Sequence, residues 1–413
     1  MVQLMLEGFG GDCRKRQRGK TADRNSAHPF GIELYHVNAR LSKKLEDIGD
    51  LRIGKFILLL GYCIQAVWCR FRYGVKNFYY IPAPGKPSAL YRDWLVMFIC
   101  RLCYKRVVLH WHAAGLAKWL EMVVQMRTRS MTYRLMKHVD LSIVLSEYNR
   151  ADAEKLYSKR IKIVSNGIPD PCPDFATTLL TRRKTRSAAR RKLLSGAAAD
   201  SGEFSKAGEA PNVVNVLYLA HCTRAKGIFD TVKGVALASQ RLAERRFGVS
   251  LRLLVAGTFV SAAEKEEFDR LTARDDMKQI VQYFGFVSGE MKNKLLREAD
   301  LFCFPTYYEN ENQPVNLIEA MAFGLPILTT RWRSLPELFP ADYPGLVDIR
   351  SPDQIANVMP ALMTGEAGDG FREIFLRNYT LQNHLHALAD AFKSLESPEP
   401  AVLPADMRTV QSS

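Results

Sequence analysis

Two glutamates eight positions apart, Glu311 and Glu319, bracket the stretch of this chain best suited to hold a charged, hydroxyl-rich ligand. Leu301 to Phe304 reads as a short apolar strand, Pro314 falls where a first-turn proline is tolerated, and Gly324-Leu325-Pro326 stops a helix. One carboxylate is thereby placed on a strand-exit loop and the other inside the helix. The free N–H groups of the first turn lie between them, where partial positive charge favours a phosphate. Such a segment can hold a sugar hydroxyl, a diphosphate and a ribose diol at once.

Three further places could complete such a site. Strand Val213 to Leu219 leads into Ala220-His221-Cys222-Thr223-Arg224-Ala225-Lys226-Gly227, after which a helix runs from Ile228 to Leu242. Arg224 and Lys226 would point from that loop into a cleft, and two cations there suit a diphosphate. Alone the signal is weak, because Lys-Gly before a helix is common. Gly257 ends another strand, as a place for close backbone approach or as a plain turn. Phe286 and Val287 end the next, where their backbone could read a nucleobase edge or simply close the strand.

The elements that must position these residues alternate between β-rich runs and helical stretches from about residue 30, the pattern of parallel sheets with crossover helices. Candidate strands in the first block are Glu33 to Val37, Phe78 to Ile81, Val107 to Trp111, Leu141 to Leu145 and Ile161 to Val164. Asn166-Gly167-Ile168-Pro169-Asp170-Pro171 then reads as a domain exit. The second block contains Val213 to Leu219, Leu251 to Val255, Ile280 to Phe284, Leu301 to Phe304 and Ile327 to Thr329. Two doubly wound domains facing a cleft follow, and ligands in such sheets bind beyond the carboxyl ends of the strands. The expected division is 1–175 for an amino-terminal domain, 176–211 for a basic linker or insertion, and 212–370 for the second domain. Residues 371–396 form a final helix and 397–413 a disordered tail.

Composition narrows the class. The 413 residues suffice for two domains, and 47% apolar content excludes disorder for most of them. A net charge of +15 suggests an anionic partner without choosing among nucleic acid, lipid surface and phosphorylated substrate. Eight scattered cysteines show no disulfide or zinc spacing, so a reducing, cytoplasmic setting is expected. Cys100 and Cys103 read as buried thiols within a helix. No secretory signal is read at the start. Phe56 to Trp68, flanked by Lys55, Arg70 and Arg72, is shorter than a membrane span and reads as a core helix or as a basic interfacial helix on anionic lipid.

The ordered succession Lys226-Gly227, Gly257, Gly285-Phe286-Val287, Ala299-Asp300, Pro305-Thr306 and Glu311-x7-Glu319-Ala-Met-Ala-x-Gly-x-Pro resembles family 4 of the retaining glycosyltransferases, which have the α/β GT-B fold of two Rossmann-like domains. The likeness covers most of residues 212 to 340. It implies a hexosyltransferase-type enzyme that binds a nucleotide-sugar donor mainly through the second domain. Glu319 would hold the ribose hydroxyls, Lys226 the diphosphate, Phe286 and Val287 the base, and Glu311 with the backbone of Gln313 through Pro314 to Val315 the donor sugar. In the first domain His112, at the end of Val107 to Trp111, matches the family's cleft histidine, with His110 as its rival. Val2 to Leu6 followed by Gly8-Phe9-Gly10-Gly11 is a faint copy of the family's first strand and glycine loop, which would put Gly10 and Gly11 at the donor phosphate. One departure stands out: His221 occupies the position, five before the lysine, where many relatives have arginine, which leaves Arg224 to supply the second cation. The last helix would cross back onto the first domain.

The reaction expected is a retaining transfer without metal or other cofactor, since no D-x-D motif is present, with the nucleotide-sugar as co-substrate and a saccharide or lipid-linked acceptor, as in cell-surface polysaccharide biosynthesis. A peripheral contact with an anionic inner membrane face is expected, and no nucleic acid. Two rivals are a nucleotide-sugar epimerase or phosphorylase-like enzyme, for which no cofactor-lysine motif is found, and a catalytically impaired basic protein that binds nucleic acid or a membrane surface through residues 14–20 and 182–192.

Overall fold

The computed structural model describes residues 2–14, 29–39, 53–196, 212–364 and 367–397. A first sheet of four parallel strands pairs in sequence order: β1 (Asn77–Tyr80), β2 (Arg106–Trp111), β3 (Leu141–Val144) and β4 (Ile161–Ile163). Around it lie α1 (Val2–Gly8), α2 (Ile53–Arg72), α3 (Pro87–Cys103), α4 (Leu116–Met122), α5 (Met126–Met136) and α6 (Glu147–Lys155). Every residue of β3 is buried, as a parallel strand covered on both faces requires.

After α7 (Leu180–Leu194), the second half alternates β5 (Val213–Leu219), α8 (Ile228–Glu244), β6 (Ser250–Ala256), α9 (Ala262–Thr272), β7 (Val281–Gly285), α10 (Gly289–Glu298), β8 (Leu301–Phe304), α11 (Val315–Ala322), β9 (Ile327–Thr330) and β10 (Leu346–Val347). It closes with α12 (Pro352–Thr364), α13 (Ala367–Asn378) and α14 (Leu381–Lys393). These strands form one parallel sheet in the order β10-β9-β8-β5-β6-β7. The chain runs outward from β5 through β6 to β7, then returns to the other side of β5 for β8, β9 and β10. Strand order therefore reverses between β5 and β8, and a crevice opens at the carboxyl ends of those two strands.

Helix α8 shows why the sequence packs this way. Ile228, Phe229, Val232, Val235, Ala238 and Leu242 recur at three to four positions and are buried against the sheet. Helix α14 instead joins the first domain: Leu385, Leu388 and Ala389 share a core with Val108, Leu141 and Ile143, with Met5 of α1 and with Phe9 just after it.

Several local expectations change. Val2 to Leu6 is helical rather than extended, and the helical rise brings Met5 within a turn of Phe9 so that both pack against α14. Glu33 to Val37 makes only a bridge between Leu34 and Asp12. The single helix expected over 371–396 is two, broken at Tyr379 with Thr380 capping α14 through a bond from the Asn383 amide. Leu346–Val347, too short for a periodicity signal, adds an edge strand.

The segment expected as a basic linker is helical through Leu194, with a π-helical turn at Phe175–Leu179 leading into α7. Arg186 and Arg190, 4% and 3% exposed, flank Asp300 at the foot of β8, with Nε–Oδ1 3.1 Å and Nη2–Oδ2 2.7 Å. Their charge is spent on an internal carboxylate, which makes burial tolerable and leaves these two residues no part in a nucleic-acid face. The rest of the linker (197–211), residues 15–20 and the tail beyond 397 lie outside the described residues.

Candidate functional site

At the β5/β8 switch point two loops meet. Gly227, at φ 82°, lies so close to the β8-exit loop that a Cβ on it would sit 2.3 Å from the Pro305 carbonyl, and only glycine fits. Tyr307 N donates to the Ala225 carbonyl at 2.8 Å. This contact carries Lys226 onto Glu311, with Nζ 2.6 Å from Oε2. The Thr306 hydroxyl donates to the same oxygen at 3.0 Å, and the Tyr308 ring lies beneath the ammonium at 4.6 Å. Glu311 is 7% exposed, so its charge is held by these partners and little water.

The rest of the Glu311 loop crosses to the first domain. Asn312 Oδ1 accepts from Ser146 Oγ at 3.3 Å, and Ser334 Oγ donates to the Asn312 carbonyl at 2.5 Å. Asn166 donates twice to Gln313: its N to Gln313 Oε1 and its Nδ2 to the Gln313 carbonyl. Glu337, after β9, accepts from the amides of Glu147 and Tyr148 at 2.8 and 2.7 Å, capping α6 of the other domain. Pro314 is the N-cap of α11, so Val315 and the residues after it open that helix at the crevice.

Glu319 lies one face along α11 and is met by Lys292 of α10, Nζ to Oε1 2.5 Å. Lys292 leaves no signal in the sequence, being one of two lysines on an ordinary polar helix. Phe286 projects from the end of β7 and is 73% exposed, while Val287 rests against the second core.

Gly257 serves the backbone: a Cβ there would lie 1.8 Å from the Ala220 carbonyl, so the residue lets the β6 and β5 exits touch. Arg224 faces the other way from the expected role. Its guanidinium is half exposed, 2.5 Å from Glu267 and stacked over Phe229 at 4.5 Å, and its amide donates to Glu264 at 2.9 Å. His221, in the place of the family's arginine, approaches Thr258 at 3.4 Å.

In the first domain, His112 stands at the end of β2 beside the Glu311 loop, where Asn312 Nδ2 donates to its carbonyl at 3.5 Å. Burial, aided by nearby His384, pulls its imidazolium down to about 4, so the ring is neutral at pH 7. His110 is fully buried, bonded through Nδ1 to the Tyr79 hydroxyl at 2.6 Å and tilted against the His112 ring at 4.3 Å. His110 thus supports; His112 is the one toward the cleft loop. Gly10 and Gly11 correct the sequence reading. Their amides donate to the Glu7 and Leu6 carbonyls at 3.0 and 2.6 Å and cap α1, so the donors a phosphate loop needs are already spent.

Residues 203–397 match the family model for glycosyl transferases group 1. The chain is 28% identical over 159 residues to the amylovoran biosynthesis glycosyltransferase AmsK of Erwinia amylovora, 37% of each chain. It is 27% identical over 136 residues to the putative colanic acid biosynthesis glycosyltransferase WcaL of Escherichia coli, 32% of this chain and 31% of that one. The alignments thus span about a third of these relatives' length. Among solved structures, HepE of Anabaena in complex with UDP superposes with a TM-score of 0.56 at 15% identity, covering 81% of this chain and 82% of that one. Sucrose-phosphate synthase of Thermosynechococcus elongatus gives 0.56 at 17%, covering 85% and 81%. The chain thus has the two-domain GT-B fold of these structures, and its second half, residues 203–397, is similar to group 1 glycosyl transferases.

Proposed function

We propose that the protein is a retaining, metal-independent glycosyltransferase that moves a sugar from a nucleotide-sugar donor to a saccharide or lipid-linked acceptor. The observation that carries this reading is the contact of Lys226 with Glu311 at the β5/β8 switch point, beside the amino terminus of α11. The names of AmsK and WcaL point to polysaccharide biosynthesis, and HepE binds UDP in its crystal, which support the donor class.

In the proposed site Lys226 keeps one N–H on Glu311 and offers its others to the donor diphosphate, together with the opening amides of α11. The donor's C1–O bond breaks, and its electron pair goes to the leaving phosphate oxygen. Positive charge already in place there lowers the barrier as negative charge develops. The acceptor oxygen attacks C1 from the same face, and its proton passes to the departing phosphate oxygen. Glu311 orients the donor sugar, Glu319 the ribose diol, and the Phe286 ring and Val287 backbone the base. His112, neutral, accepts or donates a hydrogen bond to the sugar. No nucleophilic role is assigned to either glutamate, and the carboxylate pairing of glycosidases is not invoked.

The lipid-linked form of the acceptor draws on α2. Its Leu59, Cys63 and Ala66 stripe packs on α3, while Phe56, Ile57, Ile64, Trp68 and Phe71 are exposed, as are Phe98 and Leu102 of α3. By length and apolar composition Gly54–Arg72 also meets the requirement for a membrane span. An apolar face of this extent, ending in Arg70 and Arg72, suits a helix lying in an anionic interface, at the inner face of the membrane.

Substituting Glu319→Ala and measuring UDP binding by calorimetry tests the donor half. Affinity falls about tenfold or more if the carboxylate holds the ribose, because two charge-assisted hydrogen bonds are lost. Unchanged affinity would sink the assignment.

A further inference from the structure

Arg333 is the least satisfied charged residue at the cleft. It follows β9 in the left-handed region, at φ 51°, a conformation that side-chain-bearing residues rarely adopt without reason. Its neighbours fix it there: Trp332 Nε1 donates to the Tyr308 carbonyl at 2.9 Å, and Ser334 Oγ holds the Asn312 carbonyl. The side chain crosses to the first domain and lies over Gly115, three residues after His112. A Cβ on Gly115 would meet Arg333 Nη1 at 2.4 Å. Nε and Nη1 are both buried and have no hydrogen-bond partner. Asp152, the nearest carboxylate bonded to this loop, is occupied by the Gly115 and Ala117 amides at 2.8 Å each. Among the described residues no carboxylate pairs with Arg333. Two guanidinium nitrogens taken from water without a partner are costly, although the side chain as a whole is only half-buried, and here backbone strain is added to hold them.

Topology separates this cation from Lys226. Lys226 follows β5 and Arg333 follows β9, with β8 and its Glu311 loop between them. Two strand spacings put the backbone exits about 10 Å apart, so the two cations enter the cleft from different strands.

We propose that Arg333 binds a second anion in the cleft: a carboxylate or phosphate carried by one of the sugars handled there, which makes the protein selective for an acidic sugar. This rests on the transferase reading, and sets the class of substrate within it. The planar fork of arginine suits either anion through paired N–H donors.

The test uses the full chain, as wild type and as Arg333→Gly, which relieves the left-handed strain and removes the guanidinium, with Arg333→Lys as the variant that keeps charge. Calorimetry with UDP first shows that the donor site is intact in all three. A donor arm compares UDP-glucuronate with UDP-glucose, and an acceptor arm compares glucuronate and glucose 6-phosphate with glucose in the presence of UDP. In one arm the wild type prefers the acidic ligand about tenfold or more, as a charge-assisted pair requires. Arg333→Gly abolishes that preference with UDP affinity within about twofold of wild type, and Arg333→Lys keeps part of it. Absence of preference in both arms, or the same preference in Arg333→Gly, would overturn the proposal while leaving the donor reading standing. Loss of UDP binding in Arg333→Gly would overturn it too, by placing Arg333 at the diphosphate. Failure of the wild type to bind UDP would count against the transferase reading itself.

Discussion

Replacing Lys226 by alanine separates the two tasks given to that residue. It stands 2.6 Å from a Glu311 carboxylate that is 8% exposed at its side chain, and it is the cation proposed to meet the leaving diphosphate. For stability, breaking a fully buried pair costs about 3–5 kcal/mol, and Lys226, 20% exposed, is partly solvated, so about 1–3 kcal/mol is expected. The Thr306 hydroxyl at 3.0 Å remains to share the orphaned charge. For catalysis, one preorganised donor at developing negative charge is worth about 2.7–4 kcal/mol, so kcat falls by about 10²–10³. Urea unfolding and initial rates of sugar transfer read the two effects independently. The double variant Lys226→Met with Glu311→Gln removes both charges and regains most of the stability, but not the rate. If Lys226→Ala keeps kcat within about threefold of wild type, or the double variant recovers rate along with stability, then Lys226 is only the counter-ion of Glu311.

Two further outcomes follow from the structure. His112 titrates near 4 when folded against about 6.5 when unfolded, so the unfolded chain binds the extra proton between those values. Stability from this ring is complete above pH 6.5 and is lost as pH falls toward 4, by about 3 kcal/mol at most; His112→Gln flattens that part of the melting-temperature profile, and an unaltered profile refutes the assignment. Flotation with vesicles containing anionic phospholipid carries the wild type to the top, and Ile57→Glu with Ile64→Glu and Phe71→Glu leaves the protein at the bottom, while UDP binding is kept. Equal flotation of both would remove α2 as the membrane contact.

The second domain was the more legible half because its chemistry is local in sequence. Strand, loop and helix follow one another within a few residues around Lys226 and again around Glu311 to Glu319, so periodicity and breakers place each side chain on its element. The amino terminus was less legible. A five-residue apolar run such as Val2 to Leu6 fits strand or helix equally, and the choice fell to α14, nearly 380 residues away, whose Leu385 packs against it. Arginines 186 and 190 read as part of a basic linker for a similar reason: their partner, Asp300, lies more than a hundred residues on.

From the sequence alone came the strands at the switch point, the helix that opens after Pro314, and the residue types at the donor site, since each depends on neighbours in the chain. Only the tertiary structure decided which charges meet. Lys226 finds Glu311 and Lys292 finds Glu319, whereas Arg224 turns to Glu267. Arg333 finds no carboxylate among the described residues, lying instead over the Trp332 ring at 5.4 Å and against Gly115 of the opposite domain. Those outcomes depend on strand order and on the seating of one domain against the other, and an electrostatic partner chosen across space leaves no spacing in the sequence to read.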